Sequence, residues 1–436
     1  MKRLILIAGV TILCATPLLA QQNDSPSQSN TADVSAMVQR MKDMEERIIA
    51  LEGQVRVLKG TQAAAVPAQP GPAAPAATPE AAAPPPSPVP AQAALAQSQV
   101  YGGAGGSAAK ALNPDISMIG DFIGAAGGNS APLLATLQPF PSMQMHESEL
   151  GVQAIIDPYA RGDFFISFGE QGVNLEEGFI TFTALPDSFV AKVGKMRSAF
   201  GKVNTMHNHV LPWIDRPLVS TNLVGGEDGI DDAGVSVQRI LPAPKGIFLE
   251  ATGQVFRGDS ADVFKAWQKS DVSTVDHLRA YKDISESTNL DIGLSYSRGY
   301  NNAGPNFLTN LYGIDATLRW KPLRRSIYHS FIARSELIWS QRQQLPSEQR
   351  AFGLYASGDY QLGRRWFLGG RFDRSERSRF ANLTDQGGSV VLTYWPSEFS
   401  QIRGQYEFTK YAEGINSNQL LMQVIFSLGA HGAHPF

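Results

Sequence analysis

The feature that most constrains this chain is the period of its last segments. Residues Leu420 to Phe436 read LLMQVIFSLGAHGAHPF, with Met422, Val424, Phe426 and Leu428 at every second position and Gln423 and Ser427 between them. A period of two makes one apolar and one more polar face, which is the signature of a strand. The same texture recurs upstream. In Ala351 to Leu362, Phe352, Leu354, Ala356 and Tyr360 oppose Tyr355, Ser357, Asp359 and Gln361. In Trp366 to Asp373, Trp366, Leu368 and Phe372 oppose Arg371 and Asp373; in Gln401 to Lys410, Ile402, Tyr406 and Phe408 oppose Arg403, Gln405, Glu407 and Thr409. A soluble β-sandwich or propeller would pack apolar inner faces. Here one face keeps Arg, Asp, Glu and Gln, which suits a wet lumen behind a lipid-facing exterior.

The N-terminus reads as an export signal. Lys2 and Arg3 precede an apolar stretch from Leu4 to Leu13, with Pro17 and Ala20 after it. The stretch is too short for a spanning helix, and cleavage is expected after Ala20. A lipoprotein reading would need Cys14, the only cysteine, but Leu13 is too large for the residue before it. The mature chain then has no disulfide and no thiol chemistry. Hydrophobic residues make up an ordinary 43% of the chain, and no later stretch approaches the roughly 18 apolar residues of a membrane helix. An exported chain can still cross a membrane as a closed barrel, because closure satisfies every backbone group. The net charge of −3 implies no nucleic-acid partner. The closing strand ending on Phe436 resembles the C-terminal assembly signal of bacterial outer-membrane barrels.

Three regions follow residues 1–20. Within 31–60, Val34, Met41, Ile48 and Val55 fall at heptad position a, with Met37, Met44, Leu51 and Leu58 at d. Arg40 and Arg47 at g face Glu45 and Glu52 at the following e positions. This seam predicts a coiled coil in preference to a lone amphipathic helix, and β-branched a residues with Leu at d lean toward two strands. Residues 61–112 form a linker rich in Ala and Pro, then Gly, which reads as a semi-extended spacer. The glycines from Gly102 to Lys110 lack the Gly-Lys-Ser/Thr of a phosphate loop. Residues 113–436 carry the strands. Short turns at Asp157-Pro158, Leu185 to Ser188, Leu241 to Gly246, Asp283 to Thr288, Pro322 to Ser326, Leu362 to Arg365 and Pro396 to Ser400 alternate with other, mostly longer connections, among them Ala199 to Gly229 and Arg374 to Gln386. That rhythm predicts an all-β membrane protein: an antiparallel transmembrane β-barrel of about sixteen strands with both ends periplasmic.

The stretch from Glu147 to Val219 carries three motifs: LEEGFI (Leu175 to Ile180), VGKMRSAFG (Val193 to Gly201) and the run Trp213 to Val219 with Asp215-Arg216-Pro217. It resembles the phosphate-selective porin O/P family and related outer-membrane proteins. The resemblance implies a sixteen-stranded, commonly trimeric channel, with lumen arginines and lysines that attract anions. In porins generally the third external loop folds into the lumen and narrows it, and Ala199 to Gly229 is the third external connection here, after one around Gly124 to Gln144 and a short one at Gln171 to Val173. The expected function is therefore passive diffusion of small solutes, anions among them, across the bacterial outer membrane, with no cofactor. The expected partners are outer-membrane lipid, two further copies in a homotrimer, and a periplasmic or cell-wall partner for the coiled coil. The alternative is an anchor or tether that works through that coiled coil.

The candidate pore-lining residues are Lys192, Lys202, Arg216, Arg319, Arg334, Arg371 and Arg403. Parity turns five of them inward, and Lys202 and Arg216 join them if the loop folds in. The parity of Lys195 and Arg197 is ambiguous, because Ala191 and Val193 share it. Glu147, Glu149, Asp315, Glu336, Asp373 and Glu407 also point inward, so the lumen is mixed in charge and no basic ladder is legible. His146 with Glu147, or His207 with His209, has zinc-ligand chemistry but no fixed geometry, and reads as solvated loop. Glu227, Asp228, Asp231 and Asp232 lack the spacing of a calcium loop and read as a solvated rim. No G-x-S-x-G is present, and no motif assigns a nucleophile, so an enzyme is not expected. An energised receptor would need about 22 strands and a plug.

Overall fold

The computed structural model describes residues 114–127, 141–169, 172–260 and 262–429. The export signal, the heptads, the linker and Phe436 lie outside these residues. Sixteen strands follow one another: β1 Asp115–Gly127, β2 Met143–Asp157, β3 Ala160–Gly169, β4 Gly172–Phe182, β5 Phe189–Arg197, β6 Asp231–Leu241, β7 Ile247–Phe256 and β8 Ser273–Ser285 in the first half. The second half is β9 Thr288–Tyr300, β10 Leu308–Trp320, β11 Phe331–Arg342, β12 Gln349–Gly363, β13 Trp366–Arg377, β14 Phe380–Ser397, β15 Ser400–Lys410 and β16 Asn416–Gly429. Each pairs antiparallel with its sequence neighbours, and β16 pairs with β1 in register Phe122 to Val424 to close the barrel. Closure leaves no sheet edge, so backbone N–H and C=O groups of the wall are satisfied without water.

Burial is inverted relative to a soluble protein. In β13, Trp366, Leu368 and Phe372 are 46%, 42% and 43% exposed, whereas Arg371, Asp373 and Ser375 are 5%, 2% and 0% exposed. In β15, Ile402, Tyr406 and Phe408 are exposed and Arg403, Gln405 and Thr409 are buried. Apolar side chains outside and polar ones inside fit a barrel whose exterior solvent is lipid.

Two connections depart from the sequence expectation. Arg374 to Gln386 is not a long loop: β13 and β14 run on to a tight hairpin at residues 378–379, with a register shift between Glu376 and Arg377. Arg377 donates to Asp385 across that hairpin at 2.8 Å and to Glu413 of the neighbouring connection, so opposite charges extend the ladder beyond its apolar part. The connection around Pro322 to Ser326 spans residues 321–330 and is longer than a tight turn.

Candidate functional site

The longest connection among the described residues, 198–230, joins β5 to β6 and lies inside the barrel. It has only one short helical turn at each of Val203–Thr205, Asn208–Val210 and Ser220–Val224. A chain without regular structure must find other partners for its backbone groups when buried. The inward side chains of the wall supply them. Ala199 N–H donates to Gln254 on β7 at 2.7 Å, and Gly201 N–H to Ser295 on β9 at 2.9 Å. Lys202 and Val203 N–H both donate to Glu336 Oε1 on β11, at 2.8 and 2.6 Å. Leu218 N–H donates to Asp373 on β13 at 3.2 Å, and Ile214 N–H to Gln405 on β15 at 2.9 Å. Asn208 reaches Glu147 on β2 at 2.8 Å. The segment is therefore tied to strands on every side of the lumen.

Apolar packing does the rest. Phe200, Val203, Leu211, Trp213, Val219, Leu223, Val224 and Ile230 form one buried cluster with Phe256, Val275, Leu311, Ile338, Tyr355 and Val391 of the wall. Trp213 is fully buried, edge-on to Tyr355 at 5.2 Å, with the Arg371 guanidinium 4.9 Å over its ring. Burying a side chain of this kind is worth about 1.5–3 kcal/mol. The sequence reading missed this core. Val275, Leu311, Ile338 and Val391 occupy inward positions of otherwise polar faces, and that break in pattern is the signal that something apolar docks there.

The candidate pore residues separate into distinct roles. Arg371 binds Asp215 of the loop and Asp373 at 2.6 Å, and Arg403 donates to the Trp213 carbonyl at 3.1 Å and Gln423 at 2.9 Å. Both hold the loop. Arg216 is turned into the loop, where it donates to Asn208 at 3.0 Å and to the carbonyls of Val203 and Met206 at 3.1 and 2.7 Å; burial pushes its pKa down to about 9. Arg334 pairs with Asp359. Arg319 stands 3.8 Å from Asp291, and no hydrogen bond among the described residues reaches its Nη1. Lys202 sits in the field of Asp291, Asp315, Arg279 and Arg319, with its pKa lowered by burial. Lys192 pairs across β4–β5 with Thr181 on the inward face and lies 4.6 Å over the Phe179 ring. Lys195 shares the outward parity of Val193 and pairs with Asp231 at 2.9 Å, while Arg197 is buried against Glu176 at 3.2 Å.

The lumen face of β2 to β4 is acidic, and its geometry comes from two β-bulges. Asp121 pairs with Glu147 while Phe122 pairs with Met145, which leaves His146 as an extra residue. Phe165 pairs with Glu177 while Ile166 pairs with Leu175, which leaves Glu176 extra. A bulge lets two successive side chains escape strict alternation. His146 and Glu147 thus join Glu149, Glu176 and Glu177 in one patch. His207 of the loop reaches into it: Nδ1 lies 2.6 Å from Glu149 and 3.0 Å from Glu176, and Nε2 lies 2.9 Å from Glu177. Burial alone would lower the His207 pKa, yet Glu149, with Glu176 and Glu177, holds it well above the usual value. His209 is buried too, and burial lowers its pKa against the pull of Glu149. The expectation of solvated histidines is therefore corrected: both belong to the lumen core. The acidic rim also changes, since Asp231 pairs with Lys195 and buried Asp232 accepts the Asp259 N–H at 2.7 Å.

No family model matches the chain. An uncharacterised protein of Aquifex aeolicus (strain VF5) is 27% identical over 386 residues, covering 75% of this chain and 81% of the relative. Among solved structures, a loop-L8 deletion mutant of OmpT, an outer membrane protein of Vibrio cholerae, is similar with a TM-score of 0.51 at 9% identity, covering 73% of this chain and all of the other. The outer membrane channel DcaP of Acinetobacter baumannii has a TM-score of 0.49 at 12% identity, covering 72% of this chain and 96% of its own. The chain has the fold of an outer-membrane β-barrel. The resemblance to the phosphate-selective porin O/P family has no matching family model behind it.

Proposed function

We propose that this protein is an outer-membrane porin, working as a homotrimer, that lets small solutes diffuse passively through a lumen narrowed by residues 198–230. One observation carries the reading: wall side chains around the whole lumen accept hydrogen bonds from that loop, and Arg371 and Arg403 donate to its carbonyls, to hold it across the barrel. Charge at a constriction sets channel selectivity. The guanidinium groups of Arg371 and Arg403 serve the loop, so the charges that meet solute are Lys192, Lys202 and Arg319. They favour small anions modestly, against a background of inward carboxylates.

The test is the reversal potential of the purified protein in a planar bilayer across a potassium chloride gradient, repeated with phosphate. A steady ohmic conductance with a modest anion preference is expected, and Arg319→Glu should move the reversal potential toward cations. A barrel that inserts but does not conduct, or whose selectivity ignores Arg319→Glu, would overturn the assignment.

A further inference from the structure

The acidic patch holds a donor set that passive diffusion does not require. Glu149, His207 and His209 each offer a ligand atom within 4.8 Å of the others, and Glu147, Glu149 and Glu176 do the same. Glu149 Oε2 lies 2.6 Å from His207 Nδ1 and 3.8 Å from His209 Nδ1. Tetrahedral ligands at about 2.0–2.1 Å from a zinc ion stand about 3.3 Å apart, so these separations bracket the value with small side-chain shifts. A second observation comes from a different atom. Glu147 is 8% exposed, its Oε2 accepts from Asn208 at 2.8 Å, and its carboxyl group lies against that of Glu176, with which it shares a hydrogen bond. Two buried carboxyl groups in contact cannot both stay ionised without a counter-charge, which either a shared proton or a cation supplies.

The support around these atoms has the form that metal ligands use. A ligating imidazole commonly gives its other nitrogen to a carboxylate, which fixes ring orientation and tautomer. His207 does this through Nε2 to Glu177 at 2.9 Å, and its ring is wedged against Phe165 at 5.3 Å. Both bulges act on this patch alone, one aiming Glu147 and the other the Glu176–Glu177 pair. The donors come from two parts of the chain, Glu149 from β2 and the histidines from the loop.

We infer that Glu149, His207 and His209, beside the Glu147–Glu176 carboxyl pair, form a binding site for one divalent transition-metal ion of the zinc class that pins the loop to β2. Two imidazoles with carboxylates suit zinc better than calcium or magnesium, which take oxygen donors. The inference rests on the position of the loop and not on what the barrel conducts, so a failed conductance experiment leaves it standing.

The test uses the full mature chain folded in detergent, stripped with chelator, then dialysed against micromolar zinc with bound metal counted by mass spectrometry. One zinc per chain is expected. Glu177→Gln should weaken binding roughly 10–100-fold, and the double change His209→Ala with Glu149→Gln should abolish it, with heat-modifiable migration confirming that each variant folds. X-ray absorption on zinc-loaded wild-type protein needs no variant. It should give a nitrogen and oxygen shell at about 2.0–2.1 Å with the scattering of two imidazoles. Absence of stoichiometric zinc, a shell without imidazole, or equal zinc retention by the folded double variant would each overturn the site.

Discussion

At the scale of residues, the same side-chain type does different work depending on what surrounds it. Arg371 has its charge neutralised by Asp215 and Asp373 while its face stacks on Trp213. Replacing it would break the loop before it altered selectivity. Lys202 is placed otherwise. Its backbone N–H is taken by Glu336, but its ammonium stands among the charges of Arg279, Asp291, Arg319 and Asp315. Burial lowers its pKa from the ordinary value near 10.5. A lysine that loses its proton at lower pH loses its pull on anions at lower pH. The anion preference should therefore decline as pH rises, starting below the alkaline range at about 10.4 in which an exposed lysine titrates. Lys202→Met should start at the lower preference and stay flat. Reversal potentials measured from neutral pH up to the range of an exposed lysine decide it: a flat wild-type profile would take Lys202 out of the solute path.

At the scale of elements, residues 198–230 behave as a folded insert with its own clamp. Asn204 donates to the carbonyls of Ser198 and Ile230 at 3.0 and 3.1 Å and accepts the Ile230 N–H at 2.8 Å, so one side chain staples both ends of the segment. Gly229 beside it has φ +61°, and a Cβ there would sit 2.0 Å from Asn204 Oδ1. Asn204→Ala leaves buried backbone groups without partners, at about 1–3 kcal/mol each. Hydrogen exchange in 198–230 should accelerate by at least about tenfold, while β9 to β12 stay protected. Unchanged exchange in the loop would show that the apolar cluster holds it without the clamp.

The strands of the wall were legible in the sequence because period two is a local property, visible in any eight residues of β13 or β15. The inward turn of Arg319, Arg371 and Arg403 followed from the same parity. The bulges at His146 and Glu176 were not legible. Each depends on which residue of the neighbouring strand lies opposite, and one extra residue in a run such as LEEGFI leaves no mark of its own. The burial of His207 and His209 was hidden for a related reason. A loop's location is decided by distant positions such as Glu149, Glu336 and Tyr355, none of which lies within forty residues of it in both directions along the chain.

At the scale of the whole molecule, the barrel wears its apolar residues outside. Exposed Leu294, Ile314, Tyr312, Leu368, Phe372, Tyr406 and Phe408 can meet lipid or the wall of another copy. Two segments of the chain make different demands on assembly. By sequence pattern alone, a coiled coil from Val34 to Leu58 would lean toward two strands through Val34, Ile48 and Val55 at a with Leu51 and Leu58 at d. Met37, Met41 and Met44 soften that preference, since methionine repacks readily. A coil of four heptads would bury little beside a contact between two barrel walls, and an Ala/Pro-rich linker between them would absorb a mismatch of symmetry. The barrel should therefore organise a trimer. Cross-linking in detergent, with and without residues 31–59, separates the cases. Trimers from both forms would make the wall the organiser. Dimers from the full chain and monomers from the shortened one would give that role to the heptads and leave the barrel a single pore.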